Sequence, residues 1–433
     1  MTATGTERAE APEIGPRRSP LSLTPFGRMV TSSGLSNLAD GVFVVALPLV
    51  ALGITRDPGA FAAVTFVGRL PWLLFALPAG ALADRLDRRR TMVLVDLGRA
   101  ALIASLAALV ATDNEALWAL YAVSFALGVG ETLFDTAAQS ILPAIVPSDR
   151  LSRANSRLYA VELTANQFVG PPLGGVMVAV AAALALWTSA GAYALAAVAL
   201  IALSGNFRPD RGGVKTTIRR DIVEGVRYLA GHRILRSFAI CVGLFNLAFT
   251  AQFAVLPLFM VDPGPMGLSE WGYGVLLTVS AIGALLGSAI TPRVETTLGR
   301  TRALVLVAVV SPIMGLVPAV TDAVAPFALA LFIIGVTNVV WNVITVSLRQ
   351  RIVPDSLLGR VNAGYRLVAW GTMPLGALLG GAIADVVSIH AVFWASAGVA
   401  LLCVPILLTQ VSDAAIADAE ADAADGRAVP TEA

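Results

Sequence analysis

Apolar runs of roughly 18–26 residues recur along the whole chain, each long enough for a helix that crosses a bilayer. They fall at about 29–53, 60–83, 91–111, 116–142, 158–182 and 185–205, then at about 236–261, 272–292, 303–320, 326–348, 362–386 and 391–410. The pattern predicts about twelve helices. The split between the fifth and sixth runs rests on Trp187 and Thr188 alone. Residues 1–27 are polar and lead straight into the first run, so that run reads as a retained helix behind a polar tail, not as a cleaved signal peptide.

The polar stretches between the runs alternate in charge. With the N-terminus placed in the cytoplasm, the inner loops hold Arg85, Arg88, Arg89 and Arg90, then Arg150, Arg153 and Arg157. The second half adds Arg293, Arg300 and Arg302, then Arg349, Arg351 and Arg360, and the outer loops hold only Arg56. This asymmetry obeys the positive-inside rule and supports an even helix count, because one missed helix would invert every later loop. Both termini are then cytoplasmic. The tail from 411 is rich in Ala and acids, with Asp413, Asp418, Glu420, Asp422 and Asp425, and is expected to be largely disordered.

Composition agrees. The chain is 57% hydrophobic and 14% charged, against about 45–50% and about 25% in soluble domains. A soluble core has no room for that much apolar surface. The net charge of +1 gives no reason to expect a nucleic-acid partner. Cys241 and Cys403 lie inside apolar runs and read as packing residues, while His232 and His390 sit near the ends of runs, a poor pattern for zinc. The single lysine, Lys215, has no Walker A context. No cofactor, no metal site and no enzymatic chemistry are expected.

The chain repeats itself. Residues 37–49 read NLADGVFVVALPL and residues 246–258 read NLAFTAQFAVLPL, aligned without a gap. Ile145-Val146-Pro147, Arg153, Asn155 and Gly174-Gly175 recur as Ile352-Val353-Pro354, Arg360, Asn362 and Gly380-Gly381. The expected fold class is therefore an all-α membrane protein, twelve transmembrane helices in two pseudo-symmetric six-helix bundles. The bundles span 28–205 and 236–410, joined by a basic cytoplasmic loop at 206–235 and flanked by tails at 1–27 and 411–433. Parallel repeats of this kind are a known transporter architecture, in which two similar bundles rock about a shared central site.

Gly80-Ala81-Leu82-Ala83-Asp84-Arg85 with Arg88-Arg89-Arg90 resembles the signature loop of the major facilitator superfamily, with Asp87 where that family usually has Gly. Gly170-Pro171-Pro172-Leu173-Gly174-Gly175 resembles the motif of its drug antiporters, without the upstream glycines. Asp40-Gly41, Arg69-Leu70-Pro71, Leu97-Gly98-Arg99 and Glu224-Gly225-Val226-Arg227-Tyr228 are similar to the macrolide-efflux and enterobactin-exporter branch. The resemblance covers about residues 28–408. It implies the twelve-helix fold, export of a small molecule in exchange for protons, and a monomer in the plasma membrane. The Arg that many of the family's proton antiporters carry in helix 4 is absent.

Within the apolar runs, charge is rare and its depth is informative. A charged side chain at the centre of a bilayer costs about 2.5–3.5 kcal/mol on insertion scales, so it is functional by default. Asp40 and Arg69 lie roughly mid-bilayer on neighbouring helices and are expected to pair in one state; with Glu131 they are the candidate proton-coupling residues. The alternatives are a structural polar residue and a permanent ion pair. Asp84, Arg85, Arg88, Asp96, Arg99 and Asp135 are read as gating residues near the inner mouth, and Glu162 as a snorkelling or paired acid. The second half offers Asn246, Gln252, Asn338, Asn342 and Trp341 as neutral contacts in a substrate cavity, or as interhelical bonds. The signature glycines and proline of the antiporter-like motif are Gly170, Pro171, Gly174 and Gly175. The expected function is proton-coupled efflux of a small amphipathic molecule; the alternative is proton-coupled nutrient uptake. A receptor or scaffold ranks behind both.

Overall fold

The computed structural model describes residues 24–83, 86–142, 145–147, 150–203, 207 and 218–424. The first half holds α1 (Pro25–Ile54), α2 (Pro58–Ala83), α3 (Arg88–Ala111), α4 (Leu117–Ile141), α5 (Leu151–Glu162), α6 (Gly170–Val180) and α7 (Ala182–Ile201). The second holds α8 (Ile218–Gly231), α9 (Arg233–Phe253), α10 (Leu256–Met260), α11 (Glu270–Leu298), α12 (Arg300–Val310) and α13 (Ile313–Val320). It continues with α14 (Val324–Ile352), α15 (Asp355–Val386), α16 (Ile389–Leu401), α17 (Cys403–Gln410) and α18 (Asp413–Ala424).

Eleven segments among the described residues are long and apolar enough to cross a membrane. The remaining expected run, 158–182, is a helix in three pieces. Its middle, Leu163–Val169, is a π-helical turn between α5 and α6. The cause is local. Pro171 and Pro172 donate no backbone hydrogen bond, and their rings crowd the carbonyls four residues back, so the ladder widens just before them. The chain then turns at Ala181, in extended conformation, before α7.

Helix starts follow ordinary capping chemistry. Thr24 accepts from the Gly27 amide at 3.1 Å and Asp87 from the Arg90 amide at 3.0 Å. Ser269 and Ser388 do the same for α11 and α16. At the other end of α7, Arg89 donates to the Ile201 carbonyl at 3.0 Å and Arg28 to the Ala202 carbonyl. Guanidinium groups there satisfy carbonyls that the helix leaves open.

The basic end of the bundle carries the Arg-rich loops, and the far end carries the turns after α1, α3, α10 and α13. At the far end the two halves meet along two related seams. A Cβ on Gly175 of α6 would lie 2.7 Å from the Glu270 carbonyl oxygen at the start of α11. A Cβ on Gly381 of α15 would lie 2.7 Å from the Ala62 Cβ near the start of α2. Gly174 and Gly380 press in the same way on Val42 of α1 and Ala251 of α9, two positions that correspond in the repeat. Glycine is required because these positions press on a neighbouring backbone or, at Gly381, on an alanine Cβ, with no room for another carbon. Deeper in, the Trp72 and Trp370 rings meet edge to face across the α2–α15 seam, their centroids 4.3 Å apart. Arg56 donates to the Asp262 carbonyl at 2.9 Å.

Two regions differ from the sequence-based expectation. The central stretch contains α8, an amphipathic helix laid on the start of α15, with Glu224 paired to Arg360 at 3.0 Å. The acidic tail, expected to be disordered, forms α18 over 413–424. Ile416 is buried in the second-half core, Glu420 bridges Arg300 at 2.8 Å and Arg351 at 3.5 Å, and Asp413 accepts from the Thr301 hydroxyl at 2.7 Å. Asp413 and Glu420 therefore have fixed hydroxyl and cationic partners, which a composition reading does not see.

Candidate functional site

A cavity of about 740 Å³ runs through the first half and is closed on one side by the second. Its middle is polar. Asp40, Arg69, Arg99 and Glu131 each stand near the midpoint of their own helix, and all four line it. Opposed helices that pack in register bring these midpoints to one level. Towards the basic end the lining continues with Asp135, Asn155 and Glu162. Towards the far end it becomes apolar, with Leu47, Phe61, Val64, Phe253 and Pro257.

Asp40 accepts a hydrogen bond from the Tyr193 hydroxyl of α7. The buried Arg99 guanidinium lies between the rings of Phe134 and Tyr193, 5.3 and 5.4 Å from their centroids. Asp40, Tyr193 and Arg99 thus form one group that joins α1, α7 and α3. The Arg69 guanidinium reaches Glu131 at 3.9 Å, and both side chains are about 40% exposed. In this conformation the partner of Arg69 is therefore Glu131 and not Asp40, because Tyr193 and Arg99 already occupy the space around Asp40.

The expected gate residues separate. Arg99, read as lying near the inner mouth, stands at mid-depth in the centre of the polar group. Asp96 is fully buried behind the cavity wall, close to Ser36 of α1. Asp135 lines the cavity one turn beyond Glu131. Arg88 begins α3, where its amide donates to the Phe207 carbonyl at 3.4 Å. Asp84 and Arg85 lie outside the described residues.

The second-half residues expected in the cavity do not line it. Asn246 donates to the Ala369 carbonyl of α15 at 2.6 Å, a bond between helices. Gln252 is buried, with no partner for its Oε1 among the described residues. Asn342 donates back to Asn338 within α14, at 3.0 Å to the backbone oxygen. Trp341 packs edge to face against Phe238 and Phe245 in the second-half core. The second half contributes Phe253, Pro257 and Tyr273 instead. Gly170, Pro171, Gly174 and Gly175 are not in the lining either. They let α6 approach α1 and α11, as Gly274 does from the other side against the Pro171 carbonyl.

The sequence reading missed Tyr193, Tyr273 and Ser124. Tyr193 carried a usable signal. A hydroxyl inside an Ala-rich run must find a partner, and the chain has only six tyrosines.

The arrangement can hold protons on several neighbouring carboxylates, and it can hold a drug-sized molecule, since such sites enclose about 300–1,000 Å³. A family model described as transmembrane secretion effector matches residues 17–430. The chain is 29% identical over 410 residues to the multidrug efflux pump Tap of Mycolicibacterium fortuitum, covering 91% of this chain and 95% of that protein. It is 22% identical over 405 residues to macrolide efflux protein A of Streptococcus pyogenes, covering 90% and 96%. The crystal structure of the nucleoside transporter NupG (D323A mutant) superposes with a TM-score of 0.75 at 12% identity, covering 90% of this chain and all of that one, a likeness of fold alone.

Proposed function

The chain belongs to the transmembrane secretion effector family of major facilitator transporters, and from that premise we propose that it exports a small amphipathic molecule in exchange for protons. The observation that carries this reading is the mid-depth group of Asp40, Arg99 and Tyr193, with Arg69 and Glu131 beside it, in the wall of a cavity of drug-sized volume. Full-length resemblance to named efflux pumps supports the outward direction over nutrient uptake.

Asp40 and Glu131 are the proton carriers of this proposal. A proton on Glu131 removes the charge that holds Arg69, so α2 and α4 lose their link. A proton on Asp40 removes the acceptor charge for Tyr193 and the countercharge for Arg99, so α1, α3 and α7 lose theirs. The first event frees α2, which forms the seam with α15, and the second frees α1, which packs on α6 of the other seam. The rocking step then opens the far end by parting the α2–α15 and α6–α11 seams. In the cell the basic end faces the cytoplasm by the positive-inside rule, both termini lie there, and the protein acts as a monomer in the plasma membrane. A membrane potential supplies about 2.3 kcal/mol per charge per 100 mV for this exchange.

The test is accumulation of macrolides, dyes and siderophores in cells without their own pumps, with and without an uncoupler. Lower accumulation that the uncoupler abolishes supports the reading. Raised accumulation indicates uptake and overturns it.

A further inference from the structure

The α2–α15 seam carries an arginine on each side, and both reach α4. Arg69 precedes Trp72 by three residues on α2, and Arg366 precedes Trp370 by four on α15. Each spacing is about one helical turn, so each arginine shares a face with its tryptophan. The two helices run in opposite directions, α2 towards the basic end and α15 away from it. Arg69 therefore lies on the far-end side of the tryptophan pair and Arg366 on its basic-end side. The acids of α4 are stepped in the same sense, with Asp135 one turn nearer the basic end than Glu131. Arg69 meets Glu131 at 3.9 Å, and Arg366 interacts electrostatically with Asp135.

The second contact differs from the first because it crosses between the halves. The Arg366 guanidinium lies 4.9 Å from the centroid of the Trp370 ring, and that ring meets Trp72 edge to face at 4.3 Å. A cation over an aromatic face is held by the ring's negative centre. The seam is tight at this level, since a Cβ on Gly371 would lie 3.2 Å from Leu73 Cδ1. Asp135 attracts Arg366 from α4, while Arg349 of α14, itself stacked on Tyr365 at 4.1 Å, repels it. The charges that act on Asp135 besides Arg366 are Glu131 on its own helix, Arg99 of α3, Asp40 of α1 and Glu162 of α5. Every one of these stands in the first half, whereas Arg366 stands in the second.

We propose that Arg366 is a positioning residue that carries the charge state of Asp135 to the interface between the halves. With Asp135 charged, attraction draws α4 and α15 together at the basic end, and Arg366 is shared between the carboxylate and the Trp370 ring. A proton on Asp135 removes the attraction and leaves the repulsion from Arg349, so the basic end opens. The sign suits an exchanger. A carrier open at its far end keeps its basic end shut until a proton arrives. Arg69 and Glu131 make the matching contact inside the first half, one turn deeper. The proposal rests on the export reading for its place in the transport cycle, and its conformational test does not.

The test is the distance across the basic end, read by spin labels in the purified full-length protein in detergent. Arg157→Cys on α5 and Gly359→Cys on α15 place one label on each half. Arg157 is exposed, and a Cβ on Gly359 meets open space. Cys241 and Cys403 are fully buried and take no label. Between about pH 5 and about pH 9 the distance distribution should shift to shorter values as the pH rises. Asp135→Asn and Arg366→Gln should each lose most of that shift, and the double variant should lose no more than either. Arg366→Lys keeps the charge and should keep the shift, which a purely structural role would not require. Arg366→Met, which keeps an apolar stem on Trp370, serves if Arg366→Gln does not fold. No shift in the otherwise unmodified protein overturns the proposal, as does a shift of opposite sign, a full shift in Arg366→Gln, or losses that add in the double variant. The expected shift without uncoupler-sensitive export of dyes would sink the exchange reading and leave Arg366 in its role. Export with a shift indifferent to Arg366→Gln would do the reverse.

Discussion

Asp40 in the first half and Phe249 in the second occupy the same place in the repeated segment that begins with Asn37 and Asn246. The first is hydrogen-bonded inside a cavity; the second is exposed and stacks on Phe253. The same contrast holds on α4 and α14, where Glu131 and Asp135 correspond to Asn338 and Asn342. The first half keeps its charges at mid-depth. The second keeps its acids at the two ends of the bundle, where Arg300, Arg351 and Glu420 form one network, Glu224 and Arg360 another, and Asp322 meets His390, and it carries Arg366 further in, its guanidinium 4.9 Å from the Trp370 ring centroid. Its interior is aromatic instead, built on Phe238, Phe245 and Trp341. The fold therefore asks for the glycines and apolar residues that both halves share. It does not ask for the acids, which only one half has, and mid-membrane charge is too costly to persist without a use.

The largest effect that would test this asymmetry is loss of coupling. Asp40→Asn should reduce uncoupler-sensitive export to background while the protein still reaches the membrane. Phe249→Leu, at the corresponding place, should leave export within about twofold, because an exposed apolar exchange costs little. Equal losses in the two variants, measured by dye accumulation, would end the distinction between the halves.

A shared feature should respond alike in both. Gly174→Leu and Gly380→Leu each force a side chain onto the backbone of a neighbouring helix, at Val42 and at Ala251. Overpacking of this kind costs about 1–3 kcal/mol, so both variants should show lowered thermal stability in detergent. A large drop in only one would mean that the halves are not packed on one plan.

The Arg69–Glu131 pair is a smaller matter for stability. Both side chains are about 40% exposed, so solvent screening leaves the double-mutant coupling energy below about 1 kcal/mol. Arg69→Ala and Glu131→Gln should change transport far more than the melting temperature. A coupling of several kcal/mol in a denaturation cycle would make the pair a structural brace and remove Glu131 from the carriers.

How much of this was legible in the chain depends on what one dimension records. Hydrophobic runs, loop arginines and the repeat are linear signals, and they gave the spans and their order. The paired glycines were legible as a motif, and the structure explains why each must be glycine. Depth was legible in part: Asp40 and Arg69 stand near the midpoints of their helices as expected, but Arg99, expected near the inner mouth, stands at mid-depth as well. Facing was not. Arg99 sits where α3 turns towards Tyr193, a contact between residues about 90 positions apart, and nothing in the order of residues selects Glu131 over Asp40 as the partner of Arg69. The cavity contacts expected of the second half failed for the same reason. Asn246 was at the right depth but turned to the Ala369 carbonyl of its own half.

The acidic tail gives the smallest predicted effect and the sharpest test of how far the second half's charges are structural. Composition alone reads 411–433 as disordered, yet α18 places Ile416, Ala415 and Ala419 on the second-half core and turns Glu420 to Arg300 and Arg351, which the sequence assigns only to topology. If those ion pairs only support packing, Glu420→Gln should lower the melting temperature by about 1–2 °C and leave export unchanged, because partly exposed pairs contribute about 0–1 kcal/mol. Ile416→Asp should cost more than Glu420→Gln, since it places a charge among apolar residues. If Glu420→Gln instead alters export without altering stability, the network that joins α12, α14 and α18 belongs to the transport cycle, and the second half is more than a scaffold for the first.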